Sequence, residues 1–459
     1  MINNFPDDDF YYTDFEKKYH NFVFNSKSEL KKKINNDLKK CYARITSGKE
    51  YIIKKTSKFN FYDTINWKKD WSRINLQFKV PVYNKDGEEI EEKEKIKSIS
   101  LNNYVISELK DLPSYSELVF DPKCKPENKK AFNLWQGYKA KKIDKVDIKI
   151  IEPVLNHIRE ILCNNDPIIY NYFISWLKRI ATQPWFKTRV MIIFFSEGFQ
   201  IGKGTIFNFL CQRIFGEASS IRLQGLGEMT QHFNSYLTNK IFTFIDEIST
   251  HGKEYYGQFE KVKGMITESK QTITSKGKDS LIVDNHSNYC GATNMKFGVY
   301  IPPGDERLFP IHCNEVKKPK KYLQELNFFM ENDVNLPDHF FSYLCNYEGY
   351  NELKCLTEFQ ESIPKTQLKK DMIENNLPSP LKFLNDVKDG IFILENLELK
   401  HQERCKIKNL FANFNTWCSE NKEPTMKHSL FKSLIFGKIE KTQPNSSGSS
   451  FYNLGSIKV

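Results

Sequence analysis

The chain has 459 residues, long enough for two to four domains, and its ten cysteines lie singly with no C-x-x-C pair, which argues against a zinc ribbon or dithiol redox centre and for reduced, mostly buried thiols. Lysine and arginine number 68 against 57 acidic residues, a net charge of +11 that suits a nucleic-acid partner without requiring one. The apolar run VMIIFF (190–195) is far short of the roughly 20 residues that cross a bilayer, and the opening MINNFPDDDFYYTDF lacks a basic n-region, so a soluble, intracellular protein with no membrane partner is expected.

Residues 1–115 read as a mixed α/β region. Pieces such as SGKEYIIKKTSKFNFYD (47–63) have strand composition, and DGEEIEEKEKIK (86–97) reads as a solvated loop or hairpin tip. A primase would need carboxylates clustered on a sheet; the only conspicuous acidic group here, PDDDF (6–10), has no strand context, so no primase is expected. Residues 116–185 form a helical segment, with apolar residues at helical spacing in two stretches divided by Asn164, Asn165, Asp166 and Pro167.

From 186 to 320 the pattern alternates strand and helix. RVMIIFF (189–195) is a buried strand, TIFNFLCQRIF a helix opening at Ile206, and KIFTFIDEI (240–248) a second buried strand, which together predict a parallel α/β sheet with ligands at the strand carboxyl ends. Residues 321–379 read as helical. The segment 380–459 carries two helical stretches, KIKNLFANFNTWCSENK and MKHSLFKSLIFGKI, then a strand pair around Asn445–Ser450. There is no internal repeat.

Between the first strand and helix lies SEGFQIGKGT, where a glycine loop can aim backbone N–H groups at phosphate. Gly202 and Lys203 hold their places in the pattern G-x-x-x-x-G-K-[ST]; the first glycine arrives one residue late, as Gly198, and Gly204 stands where a metal-touching hydroxyl is usual. Thr205 can supply a phosphate or water contact. Asp246, at the end of FTFID, is placed to hold Mg²⁺, with Thr205 as a candidate companion, and Glu247 to polarise the attacking water; burying two adjacent carboxylates would be expensive without a partner. In NYCGATNMKF (288–297), Asn294 can orient that water or cap a turn. Arg307 in PPGDERLFPI can neutralise charge on a γ-phosphate or pair with Asp305 or Glu306. Thr272–Thr274 and Leu281–Val283 can pair as a hairpin with Lys276, Gly277 and Lys278 at its tip, either gripping a phosphate backbone or simply solvated.

The order GKGT, FIDE, KGMITESKQTITSKGKDSLIVDNHSNYCGATN and GDERLF resembles the superfamily III helicases, specifically the poxvirus- and phage-type primase-helicase group, over about residues 120–315. The resemblance implies an AAA+ parallel-sheet P-loop ATPase core at 186–320, a helical lid or linker at 321–379 and a winged-helix-like DNA-binding domain at 380–459. It implies ATP and Mg²⁺ as cofactors, with Gly198, Gly202, Lys203, Gly204 and Thr205 around the phosphates, Asp246 and Glu247 as the second motif, Lys263–Lys278 as the motif between, Asn294 as sensor and Arg307 as an arginine finger acting on a neighbour. DNA held by Lys276 and Lys278 in the pore of a homo-hexamer is the implied partner, and Lys427, His428, Lys432 and Lys438 lie in or beside the second helix of the tail. Two rivals stay open: a phosphotransferase, from the G-K-G-T loop, and a non-catalytic DNA-binding protein with a degraded ATPase, from the missing hydroxyl.

Overall fold

The amino-terminal elements are α1 (Tyr12–Tyr19), β1 (Val23–Phe24) and α2 (Lys27–Cys41). The last starts where the Ser26 hydroxyl accepts the Glu29 N–H at 3.1 Å, and it buries Leu30, Ile34, Leu38 and Cys41 along one stripe. A computed structural model describes residues 11–46, 51–55, 59–63, 74–125, 130–198, 200–248, 254–276, 280–296, 298–316, 318–349, 358–395, 404–441 and 452–458. Strands β2 (Tyr42–Ile45), β3 (Tyr51–Lys55), β4 (Phe59–Asp63), β5 (Asn75–Tyr83), β6 (Glu89–Ser100) and β7 (Ser114–Tyr115) follow. They build two sheets, ordered β1-β5-β6 and β4-β3-β2-β7.

The charge run 86–97 divides between the β5–β6 turn and β6 itself, so most of it is strand. β6 is an edge strand, and charge on an edge leaves the unpaired backbone soluble and blocks further pairing. A parallel pair, β8 (Glu117–Val119) and β9 (Ala131–Asn133), leads on, and Phe132 of β9 packs on Ala43, Ile45 and Ile53. The acidic group PDDDF lies outside the described residues.

Two helices precede the central sheet. α3 (Ile148–His157) runs on as a π-helical turn to Leu162, and α4 (Pro167–Thr182) starts at Asp166, whose carboxylate accepts the Ile168 and Ile169 N–H groups at 2.8 and 3.1 Å. The break falls at the Asn-Asn-Asp-Pro stretch because proline fixes the first helical residue and aspartate caps it.

The centre of the molecule contains β10 (Met191–Phe195), α5 (Lys203–Phe209) with a π-helical turn to Phe215, β11 (Ser220–Leu223), α6 (Leu226–Thr230) and β12 (Phe242–Ile245). After these come α7 (Glu254–Thr267), the antiparallel hairpin β13 (Lys270–Ile273) and β14 (Leu281–Asp284), β15 (Asn288–Thr293) and β16 (Leu308–His312). Its five-stranded sheet has the order β11-β12-β15-β10-β16, every pair parallel. Each residue of β10 is buried, and the period of two sorts them: Ile192 and Phe194 join α3, α4, α5, α8 (Lys320–Asn332) and α9 (Leu336–Asn346) on one face. Met191, Ile193 and Phe195 join α6, α7 and α10 (Gln367–Asn375) on the other. Burial on both faces is why the sequence reads as a continuous apolar run without alternation.

Two expected boundaries shift. The helix after the glycine loop opens at Lys203 and not at Ile206, and the second strand is four residues, Phe242–Ile245, so Asp246 and Glu247 lie just beyond it. The tail consists of α11 (Ser379–Lys388), β17 (Arg404–Cys405), α12 (Ile407–Asn421), α13 (His428–Ile435), β18 (Glu440–Lys441) and β19 (Tyr452–Asn453) around a separate core that includes Phe383, Phe414, Trp417 and Phe431. Its small antiparallel sheet has the order β17-β19-β18. The expected strand pair is present as β18 and β19, antiparallel with Lys441 opposite Tyr452, and the glycine-serine stretch between them at 445–450 lies outside the described residues. Among those described, no helix is long and apolar enough to cross a membrane.

Gly291 in β15 fixes how closely Ile248 approaches the sheet, since a Cβ there would sit 2.4 Å from the Ile248 Cδ1 and 3.3 Å from the Ile245 carbonyl oxygen. Ile248 is itself fully buried. Gly291→Ala is expected to lower stability by about 1–3 kcal/mol through overpacking, read as a fall in thermal midpoint; an unchanged midpoint would show that Ile248 repacks freely.

Candidate nucleotide-binding site

The loop between β10 and α5 carries Lys203 as the first residue of the helix. Its neighbour Gly202 has φ +91°, the left-handed region, and a Cβ there would come within 2.6 Å of the His157 Nε2, so both backbone and space require glycine. The Lys203 ammonium donates to the Ser196 hydroxyl at 2.6 Å, the Asn294 side-chain oxygen at 2.9 Å and the Thr293 carbonyl at 3.2 Å. Burial lowers its pKa, and its proximity to Cys313, Asp246 and Glu315 opposes that shift. The Ser196 hydroxyl in turn donates to the Gly198 carbonyl at 2.8 Å, and the Glu197 N–H donates to the Glu315 carboxylate at 2.8 Å, which ties the start of the loop to the end of β16 and holds that carboxyl below its ordinary range. Gly198 contributes this carbonyl, but its missing side chain is not needed, because a Cβ would meet only Ile201, at 3.8 Å.

Asn294 and Lys203 touch because β15 pairs beside β10, Thr293 opposite Phe195. The same strand separates β10 from β12, so an amide stands between the loop and the carboxylates. The sequence argument that these carboxylates are buried and must bind something does not hold. Glu247 is exposed and Asp246 half-buried, and Asp246 already has a cationic partner in Arg222 of β11. Glu247 has φ +70°, a backbone conformation that costs a non-glycine residue of order 1–3 kcal/mol.

The remaining candidates lie elsewhere. Thr205 lines a groove of about 170 Å³ together with Phe209 and Asn327 and Met330 of α8, so the structure gives its pairing with Asp246 no support. Gly204 faces Arg222, whose Nη2 is 3.4 Å from the place a Cβ would take. Arg307 precedes β16 at the amino end of the sheet, its carbonyl accepting the Met191 N–H at 2.8 Å. Its guanidinium bonds the buried Asp305 carboxylate through Nε and Nη2, both at 3.1 Å. The length of β10, roughly 15 Å at 3.3 Å per residue, separates it from the loop of its own chain.

The hairpin forms as expected, Thr272 opposite Ile282, and extends to Lys270 opposite Asp284, though its first strand stops at Ile273 and excludes Thr274. Lys276 is exposed, and Lys278 lies outside the described residues. Lys263, at the start of the motif between, is buried and bonds Glu260 at 2.5 Å. Lys427, His428, Lys432 and Lys438 are all exposed on or beside α13.

Sequence reasoning missed Ser196, Arg222 and His157. Ser196 is the first polar residue after the apolar strand, a readable signal; Arg222 depends on the pairing of β11 with β12, which no local pattern declares. His157 is fully buried against the loop, its Nδ1 3.2 Å from the Tyr322 hydroxyl.

A model of a family of unknown function, DUF5906, matches residues 194–307, a segment that contains every nucleotide-site candidate from Gly198 to Arg307. No curated protein matches the chain. Among solved structures the chain is similar to the apo C-terminal region of NrS-1, at 18% identity and a TM-score of 0.63, covering 91% of this chain and 95% of that one. An A-form apo structure of the same region aligns at 17% identity and a TM-score of 0.60, covering 90% and 96%. The chain and that C-terminal region share a fold over 91% and 95% of their lengths.

Burial, with the nearby Lys318 cation adding to it, pushes the His157 pKa from 6.5 down to about 4. The unfolded chain therefore takes up a proton that the folded chain refuses. This contribution to stability is complete above pH 6.5 and is lost as pH falls toward 4, at up to about 1.4 kcal/mol per pH unit. Urea unfolding at pH 7 and pH 4.5 is expected to show a smaller acid loss in His157→Gln than in wild type, His286 being common to both. Equal losses would assign the acid sensitivity elsewhere.

Proposed function

We propose that the chain is an ATP-hydrolysing motor of the superfamily III helicase type that translocates on DNA during replication, working as a ring with Arg307 acting across a subunit boundary. The observation that carries the reading is the contact between Lys203 and Asn294, with Asp246 and Glu247 one strand further along the same carboxyl edge. A cation, an amide and two carboxylates in that order along a parallel sheet suit phosphate neutralisation, water orientation and proton acceptance in turn.

In this reading the Lys203 ammonium exchanges its bonds to Ser196, Thr293 and Asn294 for phosphate oxygens, and the amide so released orients water toward Glu247. The residues do not fit a divalent metal as they stand. The loop hydroxyl is absent at Gly204, Asp246 is paired with Arg222, and among the described residues no three His, Cys, Asp or Glu side chains cluster to hold an ion. No step is therefore routed through Mg²⁺. The position of Arg307 supports action on a neighbour: β16 is an edge strand, and the guanidinium is a third exposed and remote from its own loop. The net charge of +11 and the exposed Lys276 support a DNA partner.

Gly204 and the Arg222–Asp246 pair favour a second reading, a DNA-binding protein that holds nucleotide without turning it over. An ATPase assay with and without single-stranded DNA separates the two. Lys203→Ala is expected to abolish hydrolysis, and Glu247→Gln to leave nucleotide binding while lowering turnover by roughly 100-fold or more; wild-type-like hydrolysis in Lys203→Ala would sink the phosphate-loop assignment. Mixing Arg307→Ala subunits with Lys203→Ala subunits is expected to restore part of the ATPase, because some interfaces then join an intact loop to an intact arginine. Zero recovery in rings shown to be mixed would reduce Arg307 to its Asp305 ion pair.

A further inference from the structure

Two departures from the usual phosphate loop meet at one point. The residue after Lys203 is Gly204, which offers no hydroxyl, and the space its side chain would occupy borders the Arg222 Nη2, 3.4 Å from the Cβ position. That same nitrogen donates to the Asp246 carboxylate. A serine or threonine hydroxyl at 204 and the carboxylate of 246 are the two groups between which a divalent cation would be held; here one is missing and the other is engaged by a guanidinium. Arginine keeps its charge throughout the accessible pH range and presents a planar fork of donors suited to both carboxylate and phosphate oxygens. Its side chain is a third exposed, as is that of Asp246, so the pair can rearrange when an anion enters.

Resting on the nucleotide-site reading above, we propose that Arg222 is the resident counter-ion of this site, standing in for the metal and the loop hydroxyl, so that the polyphosphate of a nucleotide binds with little dependence on a divalent cation. Its position follows from the fold: β11 pairs with β12, Arg222 opposite Phe244, two residues before Asp246. The strand order places β11 at the edge of the sheet, where a long side chain can reach across the end of β12 to the loop. Lys203 and Arg222 then supply two cations at this edge, each bonded to protein oxygens that an incoming anion can replace.

The experiment measures the affinity of the full-length chain for a fluorescent N-methylanthraniloyl ADP by equilibrium titration, once in EDTA and once in excess Mg²⁺, and does not depend on turnover. The wild-type Kd is expected to differ by less than roughly 3-fold between the two conditions, while Arg222→Ala weakens the EDTA value by roughly 10-fold or more, the scale of one charge-assisted hydrogen bond, and recovers in Mg²⁺. Arg222→Lys, which keeps the charge, is expected to retain metal-free binding, and Gly204→Ser combined with Arg222→Ala to bind only with the metal. A wild-type Kd that collapses in EDTA, or metal-free binding unchanged in folded Arg222→Ala, overturns the counter-ion assignment alone. Wild-type protein that binds in neither condition overturns the nucleotide site with it.

Discussion

The half-buried ammonium of Lys203 is the constraint around which the site is built. A lysine withdrawn from water loses solvation that only oxygen ligands can restore, and here the oxygens come from two adjacent strands: Ser196 just past β10, Thr293 and Asn294 at the end of β15. The register of that strand pair is therefore a chemical specification as much as a structural one. A shift of one residue between β10 and β15 would turn the Asn294 amide to the opposite face and leave the lysine without it. Both hydrophobic layers bear on this register, since alternate residues of β10 anchor in alternate cores.

Charge at the carboxyl edge of the sheet is distributed with the same economy. Glu315 fastens the beginning of the loop through a backbone N–H, Asp246 is occupied by Arg222, and Glu247 faces solvent on a backbone held in the left-handed region. That strained residue lies along the same sheet edge as the fully bonded lysine, an arrangement in keeping with the nucleotide site proposed above.

How much of this was legible in the sequence depended on range. The apolar runs of β10 and β12 and the glycine turn between strand and helix announce themselves locally, and so does the position of Asn294 after a buried strand. The hairpin was readable from its turn residues. What failed required knowledge of partners: the carboxylates of Asp246 and Glu247 looked buried because their strand is, yet the strand ends at Ile245 and they emerge from it. Arg222 is one polar residue in a four-residue strand, and its meaning comes from β12, which lies about twenty positions later. In the amino-terminal region the charges of 86–97 masked β6, because an edge strand can be charged without ceasing to be a strand.

The hairpin of β13 and β14 shows how a projecting element is attached to a rigid core. Leu281 and Ile282 remain 63% and 74% exposed, so little of the outer part of β14 is buried. Its base is fastened by apolar packing, Ile273 of β13 being buried with Val262 and Ile266 and Val283 of β14 packing against that cluster, and by side-chain amides. Asn234 accepts the Thr274 N–H at 2.8 Å and donates to the Thr272 carbonyl at 3.0 Å, while Asn285 donates to the Met265 and Glu268 carbonyls at 2.8 and 3.1 Å. Each such bond is worth on the order of 1 kcal/mol, and being directional it fixes the angle at which the hairpin leaves the core. The hairpin is thereby a short cantilever: its base is held by a buried isoleucine and two asparagines, while the outer residues Leu281 and Ile282 are left to solvent.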